Sequence, residues 1–522
     1  MRHRLSAMFM SVVLIVLAST ESVFASDDRF SIDDSKVVLR QYAVDTWESF
    51  KAMTDPVTGL PSDSVSDDRA RDRKTSPTNI GLYLWSTLVA RDLGIITPRQ
   101  ARTRVNRVLQ SLAEMERHAD SGQFYNWYDP ATGEKLRVWP ETGDPISPFI
   151  SSVDNAWLAS ALIMVSKAMP RLRDQALEIL NGMDFSCFYN PDARGSDIGL
   201  MRGGFWKTED APDHAVNFTK GNYCGKGPDV VYTGHHYDIL NTETRIVSYI
   251  AIALGQVPPA HYFATYRTFP NDCGWSWQES APQGVTRAYL GLDVFEGAYT
   301  HLGQPVLPSW GGSMFEALMP SLIVPEVRWG PQSWALNHPA YVKSQIAHGM
   351  EEAAYGYWGF SPSRNPEAGG YREWGVDGLG MWDMGYTSDE EGTKVDLGYL
   401  DLSGGGYCRG REPQPLPDNH GRGVVTPHAA FLALELEPSA ALENLYRLRT
   451  DFDAYGWGGF YDAVGVRSGA VAKDYLALDQ GMIMAAIGNA LLANRLKTYF
   501  SSGAVQRALQ PLLAQEQFGL AN

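Results

Sequence analysis

Apolar residues recur at three- and four-residue spacing in segments near Val37 to Met53, Pro77 to Leu93, Pro98 to Arg117, Val153 to Met169, Arg171 to Met183, Glu243 to Leu254, Pro339 to Tyr355, Pro427 to Leu436, Ala440 to Leu448 and Tyr475 to Leu496. Each such run predicts an amphipathic or buried helix. Several ends are legible: Ser76-Pro77 and Thr97-Pro98 pair an N-cap with a proline at the first helical position, and Gly94 and Gly255 stand where a C-terminal stop belongs. With weaker segments the pattern predicts about twelve helices. Between them run connections rich in Gly, Trp, Tyr and Asp, over 190–237, 269–312, 358–389 and 402–424. Connections of that length are functional or disordered, and these are too aromatic for disorder. No Pro/Ser-rich or charged linker interrupts the series, so residues 26–522 read as a single all-α domain, an (α/α) toroid whose long loops gather into a cleft at one end.

Composition narrows the partners. The chain has 522 residues, 44% apolar and 20% charged, and its 15 Trp and 25 Tyr suffice to line a carbohydrate groove as well as a core. A formal charge of −16 speaks against nucleic-acid backbones and for a neutral substrate. The N-terminus runs from Met1-Arg2-His3-Arg4 through apolar Met8 to Leu17 to Val23-Phe24-Ala25, the order of a secretory signal peptide over residues 1–25. No later run reaches about 18 apolar residues, so the expected product is a periplasmic or secreted monomer with no membrane span after cleavage. Cys187, Cys224, Cys273 and Cys408 show no CxxC spacing, which points to disulfides rather than zinc and leaves three pairings open. With no phosphate cradle, nicotinamide fingerprint or metal-ligand cluster in the sequence, no cofactor is expected.

Candidate chemistry centres on His236-Tyr237-Asp238-Ile239-Leu240-Asn241-Thr242-Glu243-Thr244-Arg245, which brings acids, an aromatic and an arginine to a helix start. Glu243 is expected in the first turn, where an acid can reach a cleft, or else simply favours the helix dipole behind an Asn241 or Thr242 cap. Asp154 stands at another helix start as cap or base. Asp479 lies in an apolar run, where a carboxylate is paired or functional rather than solvated. Glu316, among Met314-Phe315 and Ala317-Leu318, reads as structural or sugar-binding. His235 and His236 are packed against aromatics or bind sugar hydroxyls.

Several motifs in order carry a resemblance. Thr75-Ser76-Pro77-Thr78-Asn79-Ile80-Gly81, Ser152-Val153-Asp154-Asn155, the Tyr237 to Arg245 stretch, Ser309 to Glu316, Trp358-Gly359-Phe360-Ser361, Trp374 to Gly380, Val424 to Ala429, Gly459 to Ala463 and Leu478 to Met482 resemble the glycoamylase-like domains of bacterial β-1,2-glucan enzymes. These include endo-β-1,2-glucanases, sophorose-releasing hydrolases and the transglycosylating domain of cyclic β-1,2-glucan synthases. The resemblance implies an (α/α)6 barrel acting on β-1,2-glucan or its oligosaccharides, with Glu243 as acid. It also implies sugar contacts from Asn79, Tyr237, Arg245, Trp310, Trp358 and Trp374. The retaining branch places a second Glu where this chain has Pro362, which implies inversion unless Glu367 or Glu373 compensates, with Asp154 or Asp479 as base. The segment 269–308, carrying Trp275, Trp277 and Cys273, is longer than its counterpart and is expected to cover one end of the groove or to form a surface excursion. Competing readings are a hydrolase for another neutral polysaccharide, a polysaccharide lyase and a non-catalytic glycan-binding protein.

Overall fold

Helices that are apolar all round and helices that are apolar on one face only alternate along this chain, and that alternation builds two layers. The computed structural model describes residues 32–194, 198–215, 218–268, 282–381 and 423–520. The α-helices among them are α1 (Ile32–Met53), α2 (Pro77–Asp92), α3 (Pro98–Glu114), α4 (Ser152–Ala168), α5 (Arg173–Asn181), α6 (Arg245–Ala253), α7 (His261–Ala264), α8 (Met314–Leu318), α9 (Glu326–Trp329), α10 (Trp334–Ala347), α11 (Pro427–Leu432), α12 (Pro438–Asp451), α13 (Ala477–Leu491), α14 (Arg495–Phe500) and α15 (Ala504–Gln515). The expected signal segment, Trp275, Trp277, Cys273 and Cys408 lie outside the described residues.

In α2 every residue from Pro77 to Ala90 is buried, and α4, α6, α11 and α13 are buried almost as completely. A helix apolar on all sides has to be surrounded. By contrast α3 buries only Ala101, Val105, Val108, Leu109 and Leu112, and α12 only Ala441, Asn444, Leu445 and Leu448, so each lays one stripe on the inner layer. Around the inner layer α13 packs on α2, α2 on α4, α4 on α6, and α8 on α11, which returns to α13. The remaining gap is closed by Arg245 of α6, whose guanidinium donates to the carbonyls of Glu316 and Ala317 in α8 at 3.2 and 2.8 Å. This is the helical toroid expected from the pattern.

Glycines let the inner helices approach. A Cβ on Gly81 would stand 2.9 Å from the Trp157 carbonyl oxygen of α4, and one on Gly481 of α13 would stand 2.6 Å from the Leu82 side chain. The Trp85 indole uses the same closeness to donate to the Gly481 carbonyl at 2.9 Å.

Several helix boundaries differ from the sequence reading. The helix expected to start at Pro339 starts at Trp334, because Ser333 and Gly330 carbonyls accept the N–H groups of Asn337 and Ala335 before proline is reached. The run Tyr475 to Leu496 begins with a strand residue and breaks at Ala493 and Asn494, whose φ values of 50° and 59° end α13 and start α14.

Short strands, which the apolar periodicity did not show, organise the connections. Phe149–Ser151, Gly204–Lys207, Lys226–Tyr232 and Lys220–Tyr223 form a four-stranded antiparallel sheet in that order. Cys187 and Cys224 are joined, with Cα atoms 5.2 Å apart, which settles one of the pairings that the sequence left open. Gln283–Tyr289 and Leu292–His301 form a hairpin. It docks on α7 and the chain end: Tyr289 stacks on Phe263 at 4.6 Å, and buried Glu296 lies 3.6 Å from Arg267, which Glu516 also pairs.

Candidate active site

The inner helices begin at one place. Ser76 accepts the Asn79 N–H at the start of α2, Ser151 accepts the Asp154 N–H at the start of α4, and Ser313 accepts the Glu316 N–H at the start of α8. These caps fix three helix starts whose next side chains face a common cavity of about 440 Å³. Its lining includes Thr78, Asn79, Val153, Asp154, Trp157, Glu243, Phe315 and Leu478, joined by Asp63, Lys74, Trp127, Arg364 and Tyr371 from the connections between helices. The size lies within the range of small-ligand sites, roughly 300–1,000 Å³.

Glu243 sits in the turn just ahead of α6 rather than inside its first turn, and Asn241 is no cap: its amide donates to the Leu307 carbonyl at 2.9 Å. The Trp157 indole N–H donates to Glu243 Oε2 at 2.6 Å, and the Glu243 backbone N–H donates to Glu316 Oε2 at 2.8 Å. Burial, then the charge of Glu316, push the Glu243 carboxyl well above the usual carboxylate range, while the Trp157 N–H opposes them. A carboxyl whose pKa is raised beside a cavity is suited to give a proton.

Asp154 lines the same cavity and accepts the Thr78 hydroxyl at 2.6 Å. Burial raises its pKa and the Thr78 hydroxyl counteracts. Asn79 donates to Asp63 Oδ1 at 2.8 Å, so a second aspartate faces the cavity. Lys74 beside it is held by Asp72 at 2.5 Å and Glu141 at 2.9 Å.

Asp479 is buried outside the described lining. It feels the charge of Asp462, whose Oδ2 accepts the Arg364 N–H at 2.6 Å, and its Oδ1 lies 3.4 Å from His428 Nδ1. Burial first, then Asp462, raise its pKa strongly.

Arg245 faces away from the cavity. Its Nε and Nη2 donate to Glu326 at 2.7 and 2.9 Å and Nη1 to the Thr242 carbonyl at 2.8 Å, in a fully buried cluster with Tyr249 and His338. Burial would raise the Glu326 pKa, but Arg245 and then His338 outweigh it and hold it at about 2.

His235 is exposed and His236 half-buried, 3.0 Å from the Asn190 amide; burial, Arg202 and His235 lower the His236 pKa to about 4. Tyr237 packs 5.8 Å from the His235 ring. Trp358 is buried, its backbone bonded both ways with Asn444, and Trp374 lies in a small cluster with Val424, Ala463 and Ala472. Trp310 pairs in register with Met381. None of these histidines, Tyr237 or the three indoles is among the described lining of the cavity, and neither is any residue of the hairpin 283–301.

What the sequence reading passed over is Asp63, Trp127, Arg364, Tyr371 and Phe315. Asp63 and Trp127 sit in loops and Arg364 and Tyr371 in a pair of two-residue strands, where no periodicity marks a facing side, and only the Trp127 neighbourhood, Tyr125-Asn126-Trp127-Tyr128, carried a signal, its aromatic density.

Residues 279–502 match the family model "Putative glucoamylase", and residues 41–190 match "Protein of unknown function (DUF3131)". The cyclic β-(1,2)-glucan synthase of Rhizobium meliloti (strain 1021) is 24% identical over 616 residues, covering 94% of this chain; the chain spans 19% of that protein's length. Among solved structures, the endo-β-1,2-glucanase of Chitinophaga pinensis, in complex with sophorotriose and glucose, superposes with a TM-score of 0.60 at 16% identity, over 92% of this chain and 98% of that one. The β-1,2-glucanase of Parabacteroides distasonis gives 0.64 at 14% identity, over 92% and 60%. The chain is therefore similar to the glucoamylase family model over residues 279–502, has homology to a cyclic β-1,2-glucan synthase, and has the fold of the β-1,2-glucanases.

Proposed function

We propose that the chain is an exported, monomeric glycoside hydrolase that cleaves β-1,2-glucan or its oligosaccharides with inversion, using Glu243 as general acid and Asp154 to activate water. The observation that carries this reading is the placement of Glu243: on a sugar-sized cavity, with one oxygen engaged by Trp157 and a pKa raised by burial. Such an acid gives its proton to the leaving oxygen of a glycosidic bond. Asp154 is the carboxylate on the same cavity whose pKa burial raises, which strengthens it as a base.

Inversion is supported by what stands near the Trp358 loop. Pro362 is buried and has no titratable group, Glu367 is exposed, and neither Glu367 nor Glu373 is among the described residues lining the cavity. The β-1,2 linkage is supported by the homologous synthase and by the sophorotriose-bound neighbour. A lyase would need free cations for a uronate, whereas Lys74 is tied to two acids and Arg364 lies 3.8 Å from Asp474.

The test is a screen of β-1,2-glucan, other neutral β- and α-glucans and arabinan, with proton NMR of the first-formed anomer. Inverted sugar from β-1,2-glucan is expected. Retained configuration, an unsaturated product absorbing in the ultraviolet, or binding without turnover would each overturn the proposal.

A further inference from the structure

His301 ends the strand Leu292–His301, and His348 and Glu352 bracket the single π turn His348–Glu352 that follows α10. They meet behind the loop that supports α8: the His348 ring packs edge-on against Phe360 at 5.0 Å, and the Phe360 carbonyl accepts the Met314 N–H at 2.9 Å. None of the three takes part in the chemistry proposed above.

One ligand atom from each residue lies within 4.8 Å of the others. His348 Nδ1 is 2.5 Å from Glu352 Oε2, and His301 Nε2 is 3.6 Å from that same oxygen. His301 is 6% exposed, and its Nε2 has no hydrogen-bond partner among the described residues. A buried polar atom left in that state needs an explanation. Its ring is also positioned closely: a Cβ on Gly378 would fall 2.1 Å from His301 Nδ1, so only glycine there leaves room for the imidazole. π turns are rare and collect at functional positions.

We propose that His301, His348 and Glu352 bind a divalent transition-metal ion, Zn²⁺ by the chemistry of two imidazoles and one carboxylate. Around a tetrahedral ion with bonds of about 2.0–2.1 Å, ligand atoms stand about 3.3 Å apart. The separation of 3.6 Å between His301 and Glu352 meets that already. The shorter His348–Glu352 contact opens by less than about 1 Å as the ion replaces the proton between them. The ion joins the end of the hairpin to the end of α10, under the aromatic pair Tyr355 and Phe360. The sequence shows no ligand cluster because the hairpin donates one residue and the π turn two, far apart in the chain.

The full chain, stripped with a chelator, is titrated with Zn²⁺ and, separately, Co²⁺. About one equivalent is expected to bind, with a raised melting temperature and a visible Co²⁺ absorption band. The pair His301→Asn and His348→Asn together should lose at least about tenfold in affinity. Glu352→Gln, which keeps the shape, serves if the double variant does not fold. A stripped wild-type chain that takes up neither ion, or folded variants that bind as well as wild type, overturns the assignment.

Discussion

The indole of Trp157 in α4 donates to Glu243 Oε2 at 2.6 Å across the start of α6, so a residue that walls the cavity also opposes the rise that burial and Glu316 impose on the pKa of its candidate acid. A hydrogen bond to the ionised form lowers a carboxyl's pKa. Trp157→Phe removes that bond and should raise the Glu243 pKa further, moving the basic limb of the kcat/KM profile to higher pH. Glu316→Gln removes a negative charge that raises the Glu243 pKa, so the same limb should move to lower pH. Shifts of one sign in both variants would show that another group controls that limb.

Glu243→Gln keeps the shape of the acid and its backbone bond to Glu316 but cannot give a proton. Turnover should fall by about 10² to 10⁴ with substrate binding retained. Asp154→Asn should fall by a similar factor if it activates the water, whereas Asp479→Asn, behind the cavity wall, should act chiefly on stability. Steady-state kinetics with calorimetric binding on each purified variant distinguishes these outcomes.

The frame of the molecule was readable in the sequence because inner and outer helices differ in how many faces are apolar, and that is a local property. Asp154 stands behind the Ser151 cap that starts α4, a position the sequence marks, whereas Glu243 lies in an uncapped turn ahead of α6, one step outside the place its pattern predicted. The sugar contacts expected from Arg245, Trp310, Trp358 and Trp374 were placed by motif alone. A motif preserves a residue for its packing as readily as for a ligand: Arg245 is held by Glu326, and Trp358 by Asn444. Asp63 and Trp127 come from loops, where facing is decided by strand pairing and caps that periodicity does not encode.

Cys187 and Cys224 close a loop with a sequence separation of 37 under the four-stranded sheet. The loop-entropy model gives such a link about 4 kcal/mol. Reduction, or Cys187→Ser with Cys224→Ser, should lower the denaturation midpoint strongly without changing the linkage cleaved, as followed by circular dichroism and product analysis. An unchanged midpoint would mean that the bond adds nothing the packing of Phe185, Phe188 and Tyr223 does not already supply.

The Arg245–Glu326 pair ties α6 to α9, and removing one partner leaves a charge buried alone. Arg245→Met should therefore cost about 3 to 5 kcal/mol. The folded Glu326 pKa of about 2 lies below its ordinary 4.5. Stability from this group is therefore complete above the ordinary value and is lost as pH falls towards about 2, at about 1.4 kcal/mol per unit. Urea denaturation across that acidic window should show the loss in wild type and its absence in Arg245→Met.

Glu243 and Asp479 behave in the opposite sense. Both have folded pKa values raised above the ordinary carboxylate range, by burial first and then by a neighbouring acid, Glu316 for one and Asp462 for the other. In the unfolded chain each ionises at its ordinary pKa, so the unfolded state loses protons first and stability falls as pH rises from there towards the raised folded value. At neutral pH each acid thus costs stability, and an amide of the same shape does not. Glu243→Gln should therefore melt higher than wild type at pH 7 while being nearly inactive, with the difference shrinking below about pH 4, where the unfolded carboxyl is also protonated. Differential scanning calorimetry of wild type, Glu243→Gln and Asp479→Asn at pH 4 and 7 tests this. A Glu243→Gln variant that melts lower at pH 7 would mean that the ionised carboxylate is stabilised in the fold, and would remove the basis for assigning it the acid's role.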